Sequence, residues 1–273
     1  MALIELLESF RHAESTLARD RFYALLGFAA DSHNGAFQPN YTSSLGEVVC
    51  RIAQAFVAQG KIMLLLSRSG LAANSEHNMA RFPSWIPNWT VPKSSSLWGS
   101  SSHRGVGFAA SWKAKSLVNC FSSDDRVTVH GHSVDTVTLV TVAGCTSEKL
   151  GEYLSHIDDI MNKFKSAKYV VKDELKWTVP TAGTQYPQTT SDMNTKMHTL
   201  YKALWQILDF ENSFNVDSRS REASGNYKRA LFECLEGWRF FVTKHGYAGI
   251  GPAVTQEGDI VVVFAGYAVS FTT

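Results

Sequence analysis

Residues 81–89 read Arg-Phe-Pro-Ser-Trp-Ile-Pro-Asn-Trp, two prolines and two tryptophans within nine positions. Each proline ring fixes φ, removes an N–H donor and pushes the residue before it toward extended geometry. Neither a helix nor a central strand tolerates that spacing, so the segment is expected to be an ordered loop. Trp85 and Trp89 each carry a large aromatic surface and an N–H that needs a partner, so the loop is either fixed to a core or lines a cavity.

A chain of 273 residues that is 44% hydrophobic and 19% charged is a folded globular protein, long enough for one large domain or two closely packed ones. Its 26 basic and 25 acidic residues leave a net charge of +1 with no block of one sign. A nucleic-acid partner is not expected, because phosphate-backbone binding draws on clustered Lys and Arg. The N-terminus, Met1-Ala2-Leu3-Ile4-Glu5, is acidic and amphipathic where a signal peptide is basic and then apolar. The apolar runs Ile62–Leu66 and Ile260–Ala265 fall far short of the roughly 18 residues that span a bilayer. No membrane association is therefore expected, and the protein is read as cytoplasmic. Cys50, Cys120, Cys145 and Cys234 form no CxxC pair, which points to buried free thiols, with no zinc site and no disulfide framework.

Periodicity predicts helix over residues 1 to about 30, and again from Ser44 to Gln59, where Val48, Val49, Ile52, Ala53 and Phe56 share a face and Gly60 offers a stop. Ile62–Leu66 fits either helix or buried strand. Ser94–Ser102 is Ser-rich and reads as a link between a helical part, residues 1–92, and a mixed part, residues 103–273, within what is expected to be one compact domain. Val127–His132 and Val134–Val142 alternate at period two and read as strands. Glu148–Phe164, Met193–Phe210 and Arg221–Gly237 read as helices, with a Pro/Thr/Gly-rich loop over Trp177–Ser191. Arg239–Thr243, Tyr247–Ile250 and Ile260–Ala265 read as strands joined by turns at Lys244-His245-Gly246 and Gly258-Asp259. The fold class is α+β: a helical N-terminal part packed on a mixed or antiparallel sheet with further helices.

Five segments together resemble the fungal heterokaryon-incompatibility (HET) family, in the region that follows its N-terminal HET domain. Arg19-Asp20-Arg21-Phe22-Tyr23-Ala24-Leu25-Leu26-Gly27 resembles DPRDKIYALLG, Pro39-Asn40-Tyr41-Thr42 resembles a PDYS turn, and Phe82–Trp89 resembles LPSWVPDW. Val129–Val137 is similar to VxGxxxDxV, and Arg239–Asp259 is similar to the block RRxFxTxxGyxGlGPxxxxxGD. The segments come in the family's order. Two departures remove a charge each, at Asn40 and Asn88, where the family tends to carry Asp. The HET domain, to which the family's toxic or signalling activity is usually assigned, has no counterpart here, and the strands that usually follow the GD strand are missing. The resemblance implies a shared scaffold and does not carry incompatibility signalling with it. If the missing strands normally cover a sheet edge, Ile260–Ala265 is left partly unpaired, which predicts a homodimer through this C-terminal strand.

The candidate chemistry is thin. His130 and His132 are two apart in a strand pattern and share a face, which would suit metal ligands, but Asp135 has the opposite parity and no third ligand is evident, so no metal is expected. Asp124-Asp125 and Asp158-Asp159 are read as solvated turn and helix charges. Glu233 and Glu236 are one helical turn apart on a surface pattern. Gly246, Gly249 and Gly251 suit hairpin geometry better than a phosphate loop. Lys244-His245-Gly246-Tyr247 at a hairpin tip would place His245 where a general base is useful. His130, His132, Asp135 and His245 are thus the candidate acid/base groups. Arg239 is expected to pair with an internal acid, Asp20 or Asp135. Trp85, Trp89, Trp98, Trp112 and Trp177 are large aromatics in loops, and Trp85, Asn88, Trp89, Trp112, Arg239 and Tyr247 are the candidate pocket residues.

Two functional classes fit. One is a scaffold that binds a hydrophobic small molecule, as a cofactor-free cyclase or isomerase of fungal secondary metabolism, in which shape and one or two acid/base groups suffice. The other is a non-catalytic recognition module related to vegetative incompatibility, working through another protein. Neither needs a cofactor. An enclosed apolar cavity bordered by Trp85 or Trp89 would favour the first, and a solid core the second.

Overall fold

The computed structural model describes residues 1–66, 68–69, 83–90, 118–119, 126–142, 145, 148–165, 173–182, 192–208, 217–235, 237–264 and 270–272. These form two compact units, the first reaching from Met1 through His130 and the second from Gly131 onward. Trp98, Trp112, Cys120, Asp124, Asp125, Glu236 and the Ser-rich segment 94–102 lie outside the described residues.

The first unit is helical. Helix α1 (Leu3–Ser9) buries Leu3, Ile4, Leu6 and Leu7, and α2 (Asp20–Tyr23) is a single turn. The long helix expected over residues 1 to 30 is therefore broken. At the break Arg11 turns inward, where its guanidinium donates to the Asn88 carbonyl at 2.7 Å. Helix α3 (Leu45–Ala58) starts at Ser44 with a capping box: the Ser44 hydroxyl accepts from the Glu47 N–H while the Glu47 carboxylate accepts from the Ser44 N–H. Ile62–Leu66 settles as helix α4, burying Ile62, Met63 and Leu65. Residues 83–90 form the ordered loop that the prolines require, closed by Ile86 N–H to Pro83 carbonyl and Trp89 N–H to Pro87 carbonyl bonds. A two-strand ladder, β1 (Val118–Asn119) with β2 (Thr128–Val129), completes the unit.

The second unit packs helices on a sheet whose five strands are all antiparallel, in the order β5-β4-β3-β6-β7. Strand β3 (Gly131–Val140) is shared: Gly131 to Thr136 pair with β6 (Ile260–Phe264), and Val137 to Val140 pair with β4 (Trp238–Thr243). Strand β5 (Ala248–Pro252) lies beside β4. Strand β7 (Ser270–Thr272) lies beside β6, so Ile260–Phe264 is an inner strand and not the unpaired edge that its place in the sequence suggests. On β4 the faces alternate, as period two demands: Phe240 and Val242 enter the main core, and Phe241 joins Val137 and Val261 on the other side. Helix α5 (Leu150–Lys165) lays Leu150, Tyr153, Leu154, Ile157, Ile160, Met161 and Phe164 into that core. Helices α7 (Asp192–Leu208) and α8 (Ser218–Leu235) supply Leu200, Tyr201, Leu204, Tyr227, Leu231 and Leu235. Trp177, expected in a loop, sits in the one-turn helix α6 (Leu175–Thr178), held by a hydrogen bond from the Tyr227 hydroxyl to its carbonyl at 2.8 Å. Among the described residues no helix is long and apolar enough to cross a membrane.

Candidate functional site

The loop tryptophans belong to the core. Trp89 meets Phe22 edge-on at 5.9 Å and Phe56 at 6.2 Å, and its indole N–H donates to the Glu8 carboxylate at 3.1 Å. Glu8 also faces Arg11 at 3.6 Å and Arg68 at 3.3 Å, with both its side chain and that of Arg11 only 7% exposed. Trp85 is buried too. Asn88 spends its side chain locally: Oδ1 accepts from the Thr90 N–H at 3.0 Å and the Thr90 hydroxyl at 2.6 Å. Asn40 does the same with Thr42 and Ser43.

The segments that carry the family resemblance are joined to one another. In the first unit Arg21 donates to the Trp89 carbonyl, Arg19 to the Ser43 carbonyl, and the Tyr23 hydroxyl to the Asn40 carbonyl. In the second, the Asp135 carboxylate accepts from the His245 N–H at 2.8 Å, the His245 ring Nδ1 at 2.9 Å and the Thr136 N–H at 2.8 Å. Burial alone would raise the Asp135 carboxyl, but hydrogen bonds from Thr243, His245 and Thr136 outweigh it and hold it at about 2. An ionised carboxylate only accepts, so Nδ1 of His245 carries the hydrogen. This brings together two of the four candidate acid/base residues, in an aspartate-oriented histidine whose ring is half exposed. His132 is exposed on β3 and His130 is exposed between β2 and β3. Among the described residues no cluster of three or more His, Cys, Asp or Glu side chains is placed to hold a metal ion. Arg239 does not pair with Asp135: its guanidinium donates to the Thr255 carbonyl at 2.9 Å, which ties β4 to the turn after β5. Tyr247 is exposed at the hairpin tip.

A concave site of the second unit lies at its helices. An open cleft of about 550 Å³ runs between α5, α6 and α7, lined by Asp158, Asp173, Lys176, Trp177, His198, Tyr201 and Trp205. His198, Tyr201 and Trp205 fall at i, i+3 and i+7 of α7 and so share one stripe. Trp177 stacks on His198 with ring centres 4.4 Å apart and planes 19° from parallel. The Lys176 ammonium sits 2.8 Å from Asp158 Oδ1, and the Tyr201 hydroxyl donates toward both oxygens at 3.3 and 3.4 Å. Burial pushes the Tyr201 phenol well up; a hydrogen bond with Trp205 pulls the other way, and the Asp158 charge adds to the rise. The phenol thus stays a neutral donor. Asp158 is not the solvated helix charge that its sequence context suggests; Asp159, next to it, is. The i, i+3, i+7 stripe on α7 was the sequence signal for this cleft, while its acids and Trp177 come from earlier segments. It could not be followed without knowing that α6 folds back onto α7.

Comparison with known proteins gives one direction. Residues 185–273 match the family model of the Het-6 beta-barrel domain. The chain is similar to heterokaryon incompatibility protein 6, OR allele, of Neurospora crassa, with 22% identity over 318 aligned positions that cover 97% of this chain and 46% of that protein. The chain thus spans less than half the length of that curated relative. No solved structure gives a significant match.

Proposed function

We propose that this chain, a protein of the heterokaryon-incompatibility family, is a recognition module that engages another protein and takes part in self/non-self discrimination between fungal cells. The similarity to heterokaryon incompatibility protein 6 along 97% of the chain carries this reading. The joined motif segments support it, because Arg19, Arg21, Trp89, Asp135 and Thr243 are all committed to holding the fold. Surface that packing does not use is left for function, and the α5–α6–α7 cleft is one concave stretch of it.

A forced heterokaryon tests the reading. Replacing the gene in one of two otherwise identical strains by a divergent allele is expected to slow growth and raise the fraction of dead fused cells. Growth at the rate of the self-pairing would overturn the proposal.

A further inference from the structure

We infer that Arg11, Arg21 and Arg68, gathered around Glu8 in the first unit, form a site for a doubly charged tetrahedral oxyanion of the phosphate class; this stands independently of the recognition reading above.

Four places in the chain supply the cluster: Glu8 lies in α1, Arg11 just after it, Arg21 in α2 and Arg68 just past α4. Three guanidiniums against one carboxylate leave two positive charges over, and among the described residues no second acid pairs with them. The surplus is held under the surface: the side chains of Glu8 and Arg11 are 7% exposed and that of Arg68 is 12% exposed. Glu8 balances one charge but satisfies little. It lies 3.6 Å from Arg11 Nη1 and 3.3 Å from Arg68 Nε, and neither contact is a hydrogen bond. What Arg11 and Arg21 do bond is neutral: Arg11 donates to the Asn88 carbonyl, and Arg21 to the carbonyls of Arg11 and Trp89. Left over are Arg11 Nε, Arg68 Nε and Arg68 Nη1, all buried and without a hydrogen-bond partner among the described residues. Orphaned donors on buried charges are costly, and native structures place an ion or a water on them. Burial pulls the Arg11 guanidinium below its ordinary value; Glu8 opposes this, and the charges of Arg68 and Arg21 add to it. An anion among the three would relieve that repulsion.

Charge and geometry select the ligand. A dianion cancels the surplus of two, whereas chloride cancels half of it and has no directed lone pairs. A tetrahedral oxyanion turns several acceptor oxygens toward guanidinium forks, which is the pairing that arginine geometry matches. Arg68, the more exposed of the two arginines that flank Glu8, gives the ion its way in.

The probe is inorganic phosphate at pH 8, where it is a dianion, titrated into the purified full chain at an ionic strength held constant with sodium chloride. Calorimetry is expected to show one site per chain, for which sulfate competes. Thermal melts are expected to rise by about 5–10 °C at a phosphate concentration a hundredfold above the Kd. Arg68→Gln is expected to weaken binding about tenfold or more, as the loss of a charge-assisted contact implies, and Arg68→Lys, which keeps the charge and loses the fork, to weaken it less. Arg229→Gln, on α8 of the second unit, is expected to leave binding unchanged. Circular dichroism checks that each variant is folded, and the wild-type titration decides the matter even where one is not. Phenyl phosphate distinguishes the source of the ion. Binding equal to that of phosphate supports a phosphoryl group on a carrier, and its exclusion supports the free ion. No binding of phosphate, a rise in melting that chloride reproduces, or equal losses in Arg68→Gln and Arg229→Gln would overturn the inference. The heterokaryon test bears on none of these outcomes.

Discussion

The carboxylate of Asp135 on β3 holds both the main-chain N–H and the ring Nδ1 of His245, 110 residues further along the chain. The Thr243 hydroxyl bonds the same carboxylate and accepts from the Tyr247 N–H at 3.0 Å, so one acid fixes the tip of the β4–β5 hairpin. The Asp of one family-like segment and the Thr of another are thereby parts of one joint.

A pH dependence of stability follows from that joint. The Asp135 carboxyl is depressed from 3.8 to about 2 in the folded protein, and its side chain is 2% exposed. A depressed carboxyl stabilises the fold above its unfolded value, and that contribution is lost as pH falls through the folded value. Wild type is expected to lose about 2 kcal/mol from this group between pH 5 and pH 2, by the linkage of pKa to stability. Asp135→Asn places an amide N–H among donors and is expected to cost about 2 kcal/mol at pH 7, since a charged acceptor of several bonds is lost. The difference between the two proteins should shrink as pH falls toward 2. Urea midpoints at pH 7, 5, 4 and 3 measure it, and a difference independent of pH would remove Asp135 as its source.

Trp89 separates ring packing from hydrogen bonding. Trp89→Phe keeps aromatic contact with Phe22 and Phe56 but takes the indole N–H from buried Glu8, which is expected to cost about 1–2 kcal/mol. Trp89→Ala also opens a cavity and is expected to cost about 3–5 kcal/mol. Equilibrium denaturation followed by far-ultraviolet circular dichroism compares the two. Equal losses would mean that the Glu8 bond, and not the ring, dominates.

Asn40 and Asn88 stand where the family tends to carry aspartate, and the structure gives both the same task. Each side-chain oxygen accepts from the N–H and hydroxyl of the threonine two residues on, closing a turn. Aspartate supplies the same acceptor, so Asn40→Asp and Asn88→Asp are each expected to change stability by less than about 0.5 kcal/mol. Alanine has no acceptor and is expected to cost about 1 kcal/mol at either site. Thermal melts decide it; an Asn88→Asp variant as damaged as Asn88→Ala would show that the amide N–H matters.

The sequence alone revealed what local chemistry dictates. The prolines of 83–87 forced a loop, the apolar face from Val48 to Phe56 marked α3, and period two marked β3. It failed where a distant partner decides. Arg239 bonds the Thr255 carbonyl and not Asp135, Ile260–Phe264 gained β7 on one side, and Asp158 was drawn from solvent by Lys176 and Tyr201. The dyad of Asp135 and His245 lay half-visible: both residues stood out singly, but nothing local says that a β3 acid meets a turn 110 residues away.

Two family-like glycines make opposite demands. Gly249 on β5 is paired with Phe241 of β4, and a Cβ built on Gly249 would lie 2.5 Å from Cζ of the Phe241 ring. That ring is buried against Val137 and Val261, so it cannot swing aside freely. Gly249→Ala is expected to destabilise the protein by about 1–3 kcal/mol through overpacking. Gly27, the last residue of the Ala-Leu-Leu-Gly segment, meets nothing within 4 Å of a built Cβ and has no positive φ. Gly27→Ala is expected to be neutral or to add up to about 1 kcal/mol by restricting the unfolded chain. Measuring both variants by urea denaturation separates a glycine kept for space from one that is not: equal effects would mean that the β4–β5 hairpin yields to the added methyl.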